Sequence, residues 1–206
     1  MSLETPKTNG FHPSCGSSPL FIFIGCIALL LFAGPARSYL LASYEPSESN
    51  LTLSSPDSGI TVSWPVQGGV RDVPDATEGS HVVRLEWVGE TDGKVEVKHQ
   101  WPGPTFDLAG YSWILVDVFI TTDSAVPGVV GIWDDLFSWT KGSPTPTVTD
   151  QWITVAMNVF HREDEGLDHI WALLFDELAG DDGILYLDNL RLVPRGRSAS
   201  RATTGM

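Results

Sequence analysis

From residue 39 onward, apolar and polar residues alternate in short runs, with turn-forming clusters about every ten residues. Gly59 to Val66 (GITVSWPV), Ser80 to Val88 (SHVVRLEWV) and Gly93 to Trp101 (GKVEVKHQW) show the period of two that sets successive side chains on opposite faces of a strand. In the third run Lys94, Glu96, Lys98 and Gln100 share one face, and Val95, Val97, His99 and Trp101 the other. Val126 to Trp133, Gln151 to Phe160 and Gly183 to Val193 continue the pattern. Ser112 to Ile120 and Asp168 to Asp176 are apolar on both faces, as expected of strands in the middle of a sheet or under a loop. SSPDSG, ETDG, PGP, KGSPTP and LAGDDG separate the runs with D-G, P-G and S-P steps. No long stretch with helical spacing follows residue 40. The pattern therefore predicts an all-β fold, a β-sandwich or jelly roll of about eight strands.

Two other segments flank this body. Pro19 to Gly34 (PLFIFIGCIALLLFAG) is an uncharged apolar stretch followed by small residues, and residues 1–38 read as a signal peptide or a signal anchor. Both readings place the remainder in a secreted or extracytoplasmic location. Contact with a membrane is expected only through an uncleaved N-terminal segment. Residues 39–193 form the expected sandwich domain, and 194–206, rich in Arg, Ser and Thr, a basic disordered tail.

Charge and cysteine content narrow the function. Between Tyr39 and Val193 the chain carries 25 acidic and 7 basic side chains, a net charge of −18. Such a domain lacks the clustered cations that displace counterions from phosphate, so nucleic acid is excluded as a partner. The same acidity disfavours anionic glycans. Both cysteines, Cys15 and Cys26, lie in the leader, so neither a disulfide scaffold nor a cysteine-zinc site is available to the domain.

The acids do not suggest catalysis. Glycoside hydrolysis requires two carboxyls across a cleft, and no strand carries an acidic i, i+2, i+4 ladder. The histidines form no HxH or HExxH pair, and no serine sits in a G-x-S-x-G elbow. No catalytic residue is therefore assigned. Aromatic residues are more informative. Trp133-Asp134-Asp135-Leu136-Phe137-Ser138-Trp139 sets three large rings and two acids in seven residues at a strand end. Indole faces stack on the C–H faces of pyranose rings, while carboxylates accept hydrogen bonds from sugar hydroxyls. Trp133, Asp134, Asp135 and Trp139 are thus candidate carbohydrate-binding residues, joined by Trp101 beside Pro102-Gly103-Pro104 and by Trp171. Capping of the core by Trp133 and Trp139 is the competing explanation. Trp171 shares a strand face with Leu173 and Phe175, and one face of that strand must be core.

Several segments, in order, resemble the carbohydrate-binding modules with a galactose-binding-like jelly-roll fold. These are Tyr44-Glu45, Thr77 to Leu85 (TEGSHVVRL), Asp107 to Phe119 (DLAGYSWILVDVF), Gln151 to Val155 (QWITV) and Ile184 to Leu192 (ILYLDNLRL). The resemblance covers roughly residues 44 to 193. It implies a jelly roll and non-catalytic binding of a polysaccharide or other glycan, expected to be neutral. It also implies a structural calcium, with ligands at Glu45, at Glu78 or Ser80, and at Asp188. A secreted structural or adhesion domain without a small ligand is the alternative, and a glycoside hydrolase a more distant one.

Overall fold

The structure, a computed structural model, describes residues 38–48, 50–89, 93–101, 106–108, 110–134, 139–162, 166–167, 170–178 and 182–196. The proposed leader at 1–37 and the tail beyond 196 lie outside the described residues. So do Asp135 and the side chains of Trp133, Asp134 and Trp171. Among the described residues no helix is long and apolar enough to cross a membrane.

The strands are β1 (Tyr39–Ala42), β2 (Thr52–Ser54), β3 (Ile60–Gln67), β4 (His81–Trp87), β5 (Val95–Gln100), β6 (Phe106–Asp107) and β7 (Tyr111–Ile120). They continue with β8 (Val129–Asp134), β9 (Trp139–Ser143), β10 (Trp152–Asn158), β11 (Gly166–Leu167), β12 (Ile170–Asp176) and β13 (Gly183–Pro194). One 3₁₀ turn, Phe160–Arg162, follows β10. Hydrogen-bonded neighbours run β2-β5-β12-β8-β9-β10-β7-β13-β4-β3, with β1 on the far half of β13 and β6 paired with β11. All pairs are antiparallel. Strand β9 bonds to β8 on one side and to β10 on the other. It thereby joins a front sheet (β2, β5, β12, β8) to a back sheet (β10, β7, β13, β4, β3). The described residues form an all-β, nearly closed sandwich.

Inward-facing residues of both sheets form one core, as the period-two pattern dictates. The front sheet supplies Val95, Val97, Leu173, Phe175, Val130 and Ile132; the back sheet supplies Ile114, Val116, Val118, Leu85, Leu187 and Trp87. All twelve are buried. The two strands that read as apolar on both faces occupy central places, β12 between β5 and β8 and β7 between β10 and β13. On the outer side of β7 the loop between β3 and β4 supplies the cover. Trp152 Nε1 donates to Asp75 O at 2.8 Å, and the Trp152 ring meets Phe119 edge-on at 5.6 Å.

The sequence reading differs from the fold at β9. KGSPTP looks like a turn, yet Lys141, Gly142 and Ser143 complete a strand. Gly142 is there because of packing. A Cβ on it would run into Val155 of β10 and stand 3.0 Å from Val130 O of β8, so only glycine lets the two sheets meet there. At the other end of the chain, β13 runs one residue into the expected tail. Arg195 is held by its N–H on Gly110 O at 2.7 Å and by its guanidinium over the Phe160 ring at 4.5 Å.

Candidate functional site

Strand register shows what stands on the outer face of the front sheet. Ser54 of β2 is opposite Lys98 of β5, Lys98 opposite Ala172 of β12, Ala172 opposite Trp133 of β8, and Trp133 opposite Trp139 of β9. One strand step along, Glu96, Leu174, Gly131 and Lys141 form a second row. The centre of both rows is low, because Ala172 and Gly131 carry little or no side chain.

Trp139 dominates this face. A Cβ built on Gly131 would fall on the six-membered ring of Trp139, so the indole reaches over the neighbouring strand. A large ring covering a cross-strand glycine keeps that glycine's backbone dry. Trp139 is nevertheless 41% exposed. It is the one exposed tryptophan among those whose side chains are described. The others are Trp87, fully buried, and Trp64, Trp101, Trp113 and Trp152, all half-buried.

The remaining aromatic candidates are placed as follows. Trp133 stands in register with Trp139. Asp134 ends β8 in register with Trp171, whose position on β12 falls on the same strand face as the core-facing Leu173 and Phe175 and not on the face of Trp139. Trp101 packs against the core instead of that face and stacks on His99 with ring centroids 5.7 Å apart.

His99 shows why that end of β5 is tied to the core. It is fully buried, and its Nδ1 lies 3.3 Å from Val97 O while its Nε2 lies 2.9 Å from the Tyr44 hydroxyl. A carbonyl can only accept, so Nδ1 carries the hydrogen and Nε2 accepts from Tyr44. Burial pushes the imidazole from its ordinary 6.5 down to about 3, against the hydrogen bond to Val97 O. An unfolded chain protonates His99 below pH 6.5, whereas the folded chain does so only near 3. Stability therefore falls as pH drops through that interval, by about 1.4 kcal/mol per unit at most. We expect Tm to decline already between pH 6.5 and 5, above the carboxylate range, and a His99→Gln variant to lose most of that slope. A flat Tm across this window would contradict the assignment.

The expected calcium ligands lie on the back sheet and divide into two groups. Glu45 accepts from the N–H of Ser80 at 2.5 Å, the N–H of His81 at 2.9 Å and Nδ1 of His81 at 2.8 Å. The Ser80 N–H is the main reason its carboxyl sits below the usual range. Asp188 Oδ2 accepts from the N–H groups of Thr77 (2.6 Å) and Glu78 (2.8 Å), and Oδ1 from the N–H of Asn189 (2.7 Å). Burial raises the Asp188 carboxyl above its ordinary value in spite of these bonds. The Glu78 side chain is exposed.

Beside Asp188 in register stands a second buried carboxylate, Asp117. Thr77 Oγ1 bridges the two, 2.8 Å from Asp117 Oδ2 and 2.9 Å from Asp188 Oδ2. Asn189 Nδ2, Arg191 Nη1 and Thr154 Oγ1 also donate to Asp117, at 3.0, 3.3 and 2.6 Å. Calcium takes six to eight oxygen ligands, and these carboxylates instead have N–H and O–H donors on their lone pairs. Among the described residues no group of three or more His, Cys, Asp or Glu could hold a metal. With those donors in place a chelator is expected to leave Tm within about 1 °C, since only a ligand bound to the native state raises it; a rise of several degrees on adding calcium would show that the ion displaces them.

These features define an all-β sandwich before any particular relative is considered. The chain is similar to the family 11 carbohydrate-binding module of the cellulosomal cellulase Lic26A-Cel5E of Clostridium thermocellum, at 15% identity and TM-score 0.51 over 81% of this chain and 99% of that one. An exo-β-agarase matches with 12% identity and TM-score 0.50 over 78% of this chain, which spans about a quarter (26%) of the agarase. A carbohydrate-binding module specific for non-crystalline cellulose, of family 28, gives 16% identity and TM-score 0.48 over 77% of this chain and 96% of that one. No protein-family model and no curated protein matches the sequence. At these identities the likeness establishes the fold.

Sequence reasoning missed Lys98, Lys141 and Gly131 as members of the Trp139 face. Lys98 was visible on the polar side of its run. That this side is the outer front face depends on pairing between strands some 70 residues apart in sequence, Lys98 with Ala172.

Proposed function

We propose that the chain binds carbohydrate without transforming it, across the outer face of the front sheet, with Trp139 as the stacking platform. The observation that carries this reading is the Trp139 indole, seated against Gly131 of the neighbouring strand and still 41% exposed. A ring fixed by its neighbours loses little freedom when a pyranose stacks on it, so more of the stacking energy appears as affinity. The shared fold supports the reading, because the neighbours described above include binding modules attached to glycan-degrading enzymes. Trp133, in register with Trp139, extends the platform. The apolar segment at 19–34 takes the module out of the cytoplasm. Native electrophoresis in gels containing dissolved polysaccharides tests this function. Retardation by at least one polysaccharide, absent in Trp139→Ala, is the expected result; no retardation by any member of a broad panel would refute it.

A further inference from the structure

The acidity of the domain hides an uneven distribution of its cations. The chain has four lysines, and the three within the domain are Lys94, Lys98 and Lys141. All three belong to the front face. Lys98 and Lys141 stand in the two rows that contain Ala172 and Gly131, and Lys94, exposed just before β5, continues the alternation of Glu96 and Lys98. The arginines with described side chains lie elsewhere: Arg71 in the loop between β3 and β4, Arg84 paired with Glu86, Arg191 with Asp117, and Arg195 over Phe160. Of the acids on the front strands, Glu96 and Asp176 share the face of the lysines among the described residues. Glu96 is largely covered and lies 3.9 Å from Lys98, whereas Lys141 is exposed with no ion pair among the described residues. Among the described residues the face beside Trp139 thus carries three lysines against Glu96 and Asp176, on a domain of net charge −18.

We infer that the glycan this face takes carries anionic substituents, carboxylate or sulfate, which Lys98 and Lys141 receive while a sugar ring stacks on Trp139. This inference rests on the proposed function and reverses the expectation of a neutral ligand drawn from net charge. Net charge is the wrong quantity for a contact. Salt screens exposed charges beyond about 8 Å at physiological ionic strength, and the back sheet lies about 10 Å behind the front one. A bound chain therefore experiences the lysines and little of the acids on the far side. Lys98 and Lys141 are about 15 Å apart, three strand spacings and two residues, so they engage different units of one polymer. Lysine, a compact point charge on a flexible stem, suits substituents whose position varies along such a chain.

Matched polymers that differ only in charge provide the test. The purified protein would be titrated calorimetrically with polygalacturonate and its fully methyl-esterified form, and with a sulfated galactan and its desulfated form. We expect the charged member of at least one pair to bind about tenfold more tightly at about 150 mM NaCl, and that advantage to shrink about fivefold or more at about 1 M NaCl. Which pair responds identifies carboxylate or sulfate as the group recognised. Lys98→Met and Lys141→Met, both at exposed stems, should each reduce the discrimination without lowering Tm, and together abolish it. Equal or tighter Trp139-dependent binding of the neutral members would overturn the inference and leave the proposed function standing. Discrimination that survives the double lysine variant would also overturn it. Binding of no polymer, charged or neutral, would remove both.

Discussion

Replacing Asp188 with alanine will lower the stability of the domain by about 2–4 kcal/mol, seen as a fall in Tm on the order of 10 °C. The Asp188 carboxylate accepts from the N–H groups of Thr77, Glu78 and Asn189 and shares the Thr77 hydroxyl with Asp117. Alanine leaves those donors without an acceptor, and each buried donor so orphaned costs about 1–3 kcal/mol. Two effects keep the total below the simple sum. Thr77 and Glu78 are near the surface and recover water, and Asp117 loses a like-charged neighbour in register. Asp188→Asn retains one accepting oxygen and should fall roughly midway. The loss has a further consequence for the fold: this carboxylate pins the loop between β3 and β4 to the back sheet, where that loop covers Trp152 and Phe119. Tryptophan fluorescence of the variant should therefore shift to the red before global unfolding. A variant as stable as the parent would mean that the network is incidental.

Trp139→Ala will abolish measurable glycan binding, a loss of about 2 kcal/mol or more, roughly thirtyfold. The stability cost should be smaller, about 1 kcal/mol, because the ring is 41% exposed and its buried contact is with Gly131. Calorimetric titration paired with thermal unfolding separates the two quantities. Trp139→Phe keeps a smaller ring over Gly131 and should bind with intermediate affinity. If Trp139→Ala bound as well as the parent, the ring would serve only to cover the glycine.

The strands were legible because burial on one face imposes a period of two. All eight runs, six that alternate and two apolar on both faces, are strands, displaced by three residues or fewer at their ends. β1 and β2 were not found. Each is too short to show a period, and β1 is specified by its pairing with β13 through Leu40–Arg191 and Ala42–Leu190. β9 was hidden by Gly142, a residue that marks a turn in sequence but here permits close packing of two sheets. The candidate site was partly legible. Trp139 stood out as one of several rings in a polar loop. Its lysine neighbours did not, because faces are composed across strands distant in sequence. At Asp188 the resemblance indicated Glu78 as a neighbour, and Glu78 is there. It contributes its N–H, however, and a donor does the opposite of what calcium requires.

The most direct measurement is a map of which backbone amides respond when a bound polysaccharide fragment is titrated into the ¹⁵N-labelled protein. Shifts should concentrate at Ser54, Lys98, Ala172, Gly131 and Lys141 and at the Trp139 indole N–H, with the back sheet around Asp117 and Asp188 unchanged. Perturbations centred on the back sheet, with the Trp139 indole unmoved, would contradict the assignment of the front face as the binding surface.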